Sequence, residues 1–150
     1  KADKLYFAGL LHDITKDFNT EKQLEMCKKF GISVPSSIAP KLLHSKTGAY
    51  FAREIFGDEL IDDEVFGGIL YHTTGRANMS LLEKVIFIAD FTGEERDYPG
   101  ADEMKAAAEE SLEKAMEIGI TFSITDLIER RLAVATDSLD AYNEIVINKR

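Results

Sequence analysis

His12, His44 and His72 are the three histidines of this 150-residue chain. Each stands where an apolar segment turns polar: His12 precedes Asp13 in Ala8-Gly-Leu-Leu-His-Asp-Ile-Thr-Lys16, His44 lies in Leu42-Leu-His-Ser-Lys46, and His72 lies in Tyr71-His-Thr-Thr-Gly-Arg76. Asp90 closes the apolar run Ile86-Phe-Ile-Ala-Asp90. Imidazoles with carboxylates suit iron, manganese or zinc rather than calcium. Adjacent His12 and Asp13 cannot point along one line from a helix, but they can reach two metals, with Asp13 bridging. Two metals can share a hydroxide and hold phosphoryl oxygens, and a metal lowers the pKa of bound water from about 15.7 to roughly 7. A nucleophile then exists at neutral pH without a separate strong base.

Taken singly, each residue has an ordinary alternative. A His-Asp pair arises by chance, and His44 could be a polar residue of a first helical turn. His72 could interact with a helix dipole at a C-terminus, and Asp90 could pair with Arg96. Together, with no histidine left over, they favour a metal centre.

These residues need helices to carry them. Leu5, Phe7, Ala8, Leu10, Leu11 and Ile14 make an apolar stripe that predicts a helix over Ala2 to Asp17. A second is expected from Thr20 to Phe30, stopped by Gly31, and a loop from Ile32 to Pro40, marked by Pro35, Ser36 and Ser37. Lys41 to Phe56 reads as a third helix ended by Gly57, with His44 in its first turn. Asp62 or Asp63 caps a fourth, with His72 at its end. Ser80 with Glu83 is a capping-box pattern opening the helix that carries Asp90. A buried carboxylate in so apolar a helix needs a partner. Glu94 to Gly100 reads as a polar turn, Asp102 to Ile118 as a helix ended by Gly119, and Ile124 to Ile147 as a long last helix. The expectation is one all-α bundle over residues 1–150.

Composition narrows the function. Hydrophobic residues make up 45% and charged residues 30%, with no Trp and 3 Pro, which favours a soluble helical protein. The net charge of −9 weighs against a nucleic-acid partner. Acidity is awkward for a phosphate substrate as well, unless a metal and local Lys and Arg residues supply cations. The single cysteine, Cys27, excludes an intrachain disulfide and points to a reducing compartment. No signal peptide or membrane-spanning run is visible, so cytoplasm is expected and a membrane partner is not. The acidic surface and long last helix are compatible with a homodimer.

The His12-Asp13 motif, Leu43-His44-Ser45, Tyr71-His-Thr-Thr-Gly-Arg76, Met79 to Asp90, Arg96-Asp-Tyr-Pro-Gly100 and Ala141-Tyr-Asn143 resemble the HD-domain superfamily of metal-dependent phosphohydrolases. Within it the chain is similar to the bacterial YqeK-type symmetrical diadenosine tetraphosphate hydrolases. The resemblance implies an HD-domain helical bundle, a dinuclear centre of iron ions, with manganese or zinc as alternatives, and cleavage of a dinucleoside polyphosphate, diadenosine tetraphosphate, into two ADP. Carried over by position, His12, Asp13, His44, His72 and Asp90 are the expected metal ligands. Lys16, Thr73, Gly75, Arg76 and Arg96 are expected at the substrate, with Asp13, Lys16 and Arg76 catalytic. Lys16, Arg76 and Arg96 would neutralise the polyphosphate.

The sequence departs from the family pattern twice. The family has a further histidine on a helix upstream of the His-Asp motif, and this chain has none. Since it begins at Lys1 rather than Met, the expected fold is the bundle without that N-terminal helix. The family also carries Ile-Glu-Pro after the aspartate. Here Gly93 stands at the glutamate position, with Glu94 or Glu95 as neighbouring stand-ins. Two alternatives follow: a phosphatase or phosphodiesterase acting on another nucleotide, or a non-catalytic helical module that senses a nucleotide.

Overall fold

A computed structural model describes residues 2–34, 40–93 and 96–149. Among these residues the chain forms eight α-helices and no strand: α1 (Ala2–Leu11), α2 (Thr20–Phe30), α3 (Leu43–Leu60), α4 (Asp63–Leu70), α5 (Leu81–Thr92), α6 (Ala101–Glu110), α7 (Leu112–Glu129) and α8 (Thr136–Asn148). The all-α expectation holds. Pro35, Ser36 and Ser37 of the expected loop, and the stand-ins Glu94 and Glu95, lie outside the described residues.

The helix starts follow their caps. Asn19, Asp62, Ser80 and Ser111 each accept a hydrogen bond from a backbone N–H three residues on. This satisfies one of the donors left over at a helix start. Gly57, at φ 82° and ψ 165°, leaves helical geometry as expected, but helical bonding resumes to Leu60.

Three boundaries differ from the sequence reading. First, α1 stops at Leu11, so His12 and Asp13 stand in a series of tight turns bonded Ile14 N–H to Leu11 O and Lys16 N–H to Asp13 O. Second, the helix expected from Asp102 to Ile118 breaks at Ser111, whose extended backbone (φ −160°, ψ 129°) caps α7. Gly119 does not end that helix. It lies inside α7, where a Cβ would come within 3.1 Å of Met104 Cε and Phe87 Cε1. Third, the long last helix is two helices. Arg131 takes the left-handed conformation (φ 57°), Arg131 N–H bonds Ile128 O and Leu132 N–H bonds Leu127 O. This is the paired closure of a helix C-terminus, made here without the usual glycine.

Helix α4 packs against α1, α3 and α5. Its Gly67 and Gly68 allow close approach to α5: a Cβ at Gly67 would lie 2.5 Å from Glu83 Oε1, and one at Gly68 would run into Leu82. One buried cluster (Ala8, Leu11, Ala52, Val65, Ile69, Ile86) joins α1, α3, α4 and α5, and a second (Phe87, Met104, Met116, Ile120, Ala141) joins α5 to α6, α7 and α8. Helix α5 belongs to both, so the Asp90 end of α5 is fixed from two sides.

Buried polar contacts brace the segments between helices. Thr15 Oγ1 donates to His44 O (3.0 Å) and sits 2.9 Å from Thr47 Oγ1. Thr47 Oγ1 donates to Gln23 Oε1, and Gln23 Nε2 to Thr15 O. All three side chains are buried, and they tie the turns after α1 to the start of α3. Ser138 Oγ donates to Thr74 O (2.7 Å), tying α8 to the turn after α4. The capping box at Ser80 is half realised. Ser80 accepts from Glu83 N–H, but the Glu83 carboxylate takes both Nε and Nη2 of Arg76, at 2.9 and 2.6 Å. Arg76 also lies 4.5 Å over the Tyr71 ring.

Thr47→Val should cost about 1–3 kcal/mol, because Gln23 and Thr15 lose their buried partner; the urea midpoint measures it. Arg76→Ala should cost about 3–5 kcal/mol by stranding the buried Glu83 carboxylate. Glu83→Gln added to Arg76→Ala should recover part of that loss in thermal melts. If it recovers nothing, the loss does not come from the stranded charge.

Candidate metal centre

Four helix ends deliver the polar cluster. His12 and Asp13 follow α1, His44 is the second residue of α3, His72 follows α4, and Asp90 lies in the last turn of α5. The five residues that the sequence singles out as ligands come together. Asp13 Oδ1 lies 3.2 Å from His44 Nε2 and 3.3 Å from His72 Nε2, and Asp13 Oδ2 lies 3.3 Å from His12 Nε2. His12 Nε2 is also 3.1 Å from Asp90 Oδ1. The two oxygens of Asp13 thus face different imidazoles.

All three imidazoles are set the same way. Nδ1 of His12 faces Gly9 O at 2.5 Å, that of His44 faces Lys41 O at 2.8 Å, and that of His72 faces Ile69 O at 2.7 Å. In each case the acceptor is the carbonyl three residues back. A carbonyl oxygen can only accept, so Nδ1 carries the proton and Nε2 is left with its lone pair. His44 Nε2 and His72 Nε2 are 3.1 Å apart. In the neutral tautomer that contact sets two lone pairs against each other, beside a carboxylate.

Such an arrangement calls for a cation between its members. Two overlapping donor groups, His12 with His72 and Asp90, and Asp13 with His44 and His72, have their ligating atoms within 4.8 Å of one another. Imidazole nitrogens and carboxylate oxygens with the second ring nitrogen anchored are the donors a transition metal takes. Without a metal, a proton fills the need. Asp13 first, and then Asp90, raise His12 to about 10 against the opposing effect of burial. Burial alone would raise Asp13, but the bonds from His12, His44 and His72 hold its carboxyl well below the usual carboxylate range.

The cluster opens on a cavity of about 530 Å³. Asp13, His44, His72 and Asp90 line it, as do Lys16, Thr73 and Arg96 from the expected substrate residues. Lys16 Nζ stands 3.7 Å from Asp13 Oδ2, and Arg96 Nη2 stands 3.9 Å from Asp90 Oδ1. Thr73 Oγ1 is 2.9 Å from Ser45 Oγ.

The structure does not bring Arg76 and Gly75 to this cavity. The Arg76 guanidinium is held by Glu83 and lines a different, larger cavity of about 720 Å³ that contains none of the cluster residues. Gly75 sits at φ 67°, where a Cβ would come within 2.8 Å of Ile120 Cδ1, so its demand is steric. Conversely, the sequence reading missed Lys41, Phe91, Tyr98, Phe122, Asp126 and Ser138, which line the cavity. Lys41 and Phe91 could have been found beside His44 and Asp90. Phe122 and Asp126 lie on α7, with no local signal linking them to the histidines.

Comparison with known proteins gives the family. The family model described as HD domain matches residues 1–92. A symmetrical bis(5'-nucleosyl)-tetraphosphatase of Halalkalibacterium halodurans is 33% identical over 149 residues, covering 98% of this chain and 78% of that protein. The Bacillus subtilis protein of the same name is 32% identical over 146 residues, covering 95% and 76%. Among solved structures, a Clostridium acetobutylicum protein described as a predicted HD superfamily hydrolase involved in NAD metabolism superposes with a TM-score of 0.91 at 34% identity, covering 99% of this chain and 78% of that one. With its His-Asp cluster at four helix ends and this likeness across nearly its whole length, the chain belongs to the HD-domain superfamily.

Proposed function

We propose that this protein hydrolyses a dinucleoside polyphosphate, cleaving diadenosine tetraphosphate symmetrically into two ADP with a pair of iron ions, or manganese or zinc, in the His-Asp cluster. The observation that carries the reading is the cluster itself: three imidazoles oriented by their own backbone onto Asp13, beside a cavity that also holds Lys16 and Arg96. The names of the relatives from Halalkalibacterium halodurans and Bacillus subtilis supply the substrate.

The ligand set proposed is His12, Asp13, His44, His72 and Asp90. When bound, divalent metal supplies Lewis acidity and a water acidified toward neutrality. The chain's own residues do the rest. Asp13, with its two oxygens turned to different imidazoles, spans the cluster and orients what binds there. Lys16 and Arg96 are placed to neutralise the phosphates, whose charge the acidic chain would otherwise repel. The Thr73 hydroxyl borders the same wall, hydrogen-bonded to Ser45. Arg76 acts one step removed: by pairing with Glu83 it fixes the turn that presents His72 and Thr73. One water is consumed, the P–O link between the second and third phosphates breaks, and each half leaves as ADP.

A second reading has its own support. The Clostridium acetobutylicum protein is described as involved in NAD metabolism, which favours a phosphohydrolase acting on another nucleotide.

Elemental analysis of the protein, with nucleotide products separated after incubation with diadenosine tetraphosphate, tests the reading. About two metals per chain and ADP as the sole nucleotide product are expected. Metal with no ADP moves the assignment to another nucleotide, and neither metal nor turnover leaves a non-catalytic module. Asp13→Ala should lose metal and lower turnover more than about 100-fold, beyond the range seen for residues that only support a ligand. Full metal content with unchanged turnover would remove Asp13 from the centre.

A further inference from the structure

Three aromatic rings line a cavity otherwise suited to phosphate. Phe91 immediately follows Asp90 on α5, Tyr98 lies two residues beyond Arg96, and Phe122 is on α7. The rings touch one another. Tyr98 and Phe122 have centroids 5.3 Å apart, Phe91 and Phe122 5.9 Å, and Phe91 and Tyr98 6.4 Å. They are also held in place: Tyr98 Oη donates to Phe91 O at 2.9 Å, and Phe91 lies 5.3 Å from the fully buried Phe87. Phe122 nevertheless remains 39% exposed.

Phosphate gives no reason for these rings. The face of an aromatic ring carries negative quadrupole density and repels an anion. A flat, uncharged π-system can stack offset on such a face, and base-on-aromatic stacking tolerates any base, since every base has a π-face. Because the rings are fixed by one another and by the Tyr98 hydrogen bond, stacking on them freezes little additional motion. The rings share one cavity with Asp90, Lys16 and Arg96. We propose that Tyr98 and Phe122, backed by Phe91, form the wall on which a nucleobase stacks while its phosphates reach Lys16, Arg96 and the metal centre. This rests on the dinucleoside polyphosphate reading above and adds which residues would hold the base.

The test separates base from phosphate and needs no turnover. The Mn2+-loaded full chain is titrated calorimetrically with ADP and with inorganic pyrophosphate, as wild type, Phe122→Ala and Phe122→Tyr. Phe122→Ala should weaken ADP by about 5- to 150-fold, the range found when a stacking ring is removed, and leave pyrophosphate within about twofold. Phe122→Tyr keeps the ring and should keep ADP affinity. Equal weakening of both ligands, unchanged ADP affinity in Phe122→Ala, or no ADP binding by the wild type overturns the proposal. If diadenosine tetraphosphate is not cleaved but ADP still depends on the Phe122 ring, the substrate assignment falls and the stacking wall stands.

Discussion

Everything here depends on bringing several electron-rich atoms to one point. Three imidazole nitrogens and two carboxylates converge within hydrogen-bonding distance of one another, although neutral imidazole lone pairs do not attract each other and carboxylates repel. The cluster exists because separate parts of the chain are each held from behind. Two apolar cores fix α5, two glycines let α4 lie close against it, and a buried Thr15-Thr47-Gln23 network locks the turns after α1 to the start of α3. The stabilising parts lie behind the site. The site spends that stability on an arrangement that only a cation, whether proton or metal, relieves.

The two arginines of the sequence pattern divide their labour accordingly. Arg96 borders the cavity with a carboxylate of the cluster nearby, whereas Arg76 is turned away from it and satisfies the buried Glu83. A pattern of residues therefore does not distinguish a cation that borders the cavity from one that holds the turn carrying a histidine of the cluster. Only the partner in space does.

Much of the site was legible because its residue types are scarce and sit at helix ends. With three histidines and a strongly apolar helix closed by Asp90, the members of the cluster could be named before any fold was known. The helical class followed from amphipathic stripes, and the starts of α4 and α5 from Asp62 and the Ser80-Glu83 pattern. What failed was punctuation without its usual residue. The stop after α7 uses Arg131 in a left-handed conformation, and the break before it uses Ser111, so the glycine rule misplaced both. Gly119 looked like a stop and is a point of contact instead. The α7 wall of the cavity was illegible for a different reason. Phe122 and Asp126 are ordinary on an amphipathic helix, and their meeting with Asp90 and His44 is a product of packing.

The anchoring of all three imidazoles to the carbonyl three residues behind them has a consequence for how such a protein can change. In many metal sites the orientation of a ligand is entrusted to a neighbouring side chain, and a single substitution there can turn the ring. Here the guide is the main chain, which every residue supplies alike. Side chains around the cluster can therefore drift over evolutionary time without disturbing which nitrogen faces the centre. The vulnerability moves to changes of length: one residue inserted or deleted in the turn before any of the three histidines breaks the three-residue spacing that no substitution can touch.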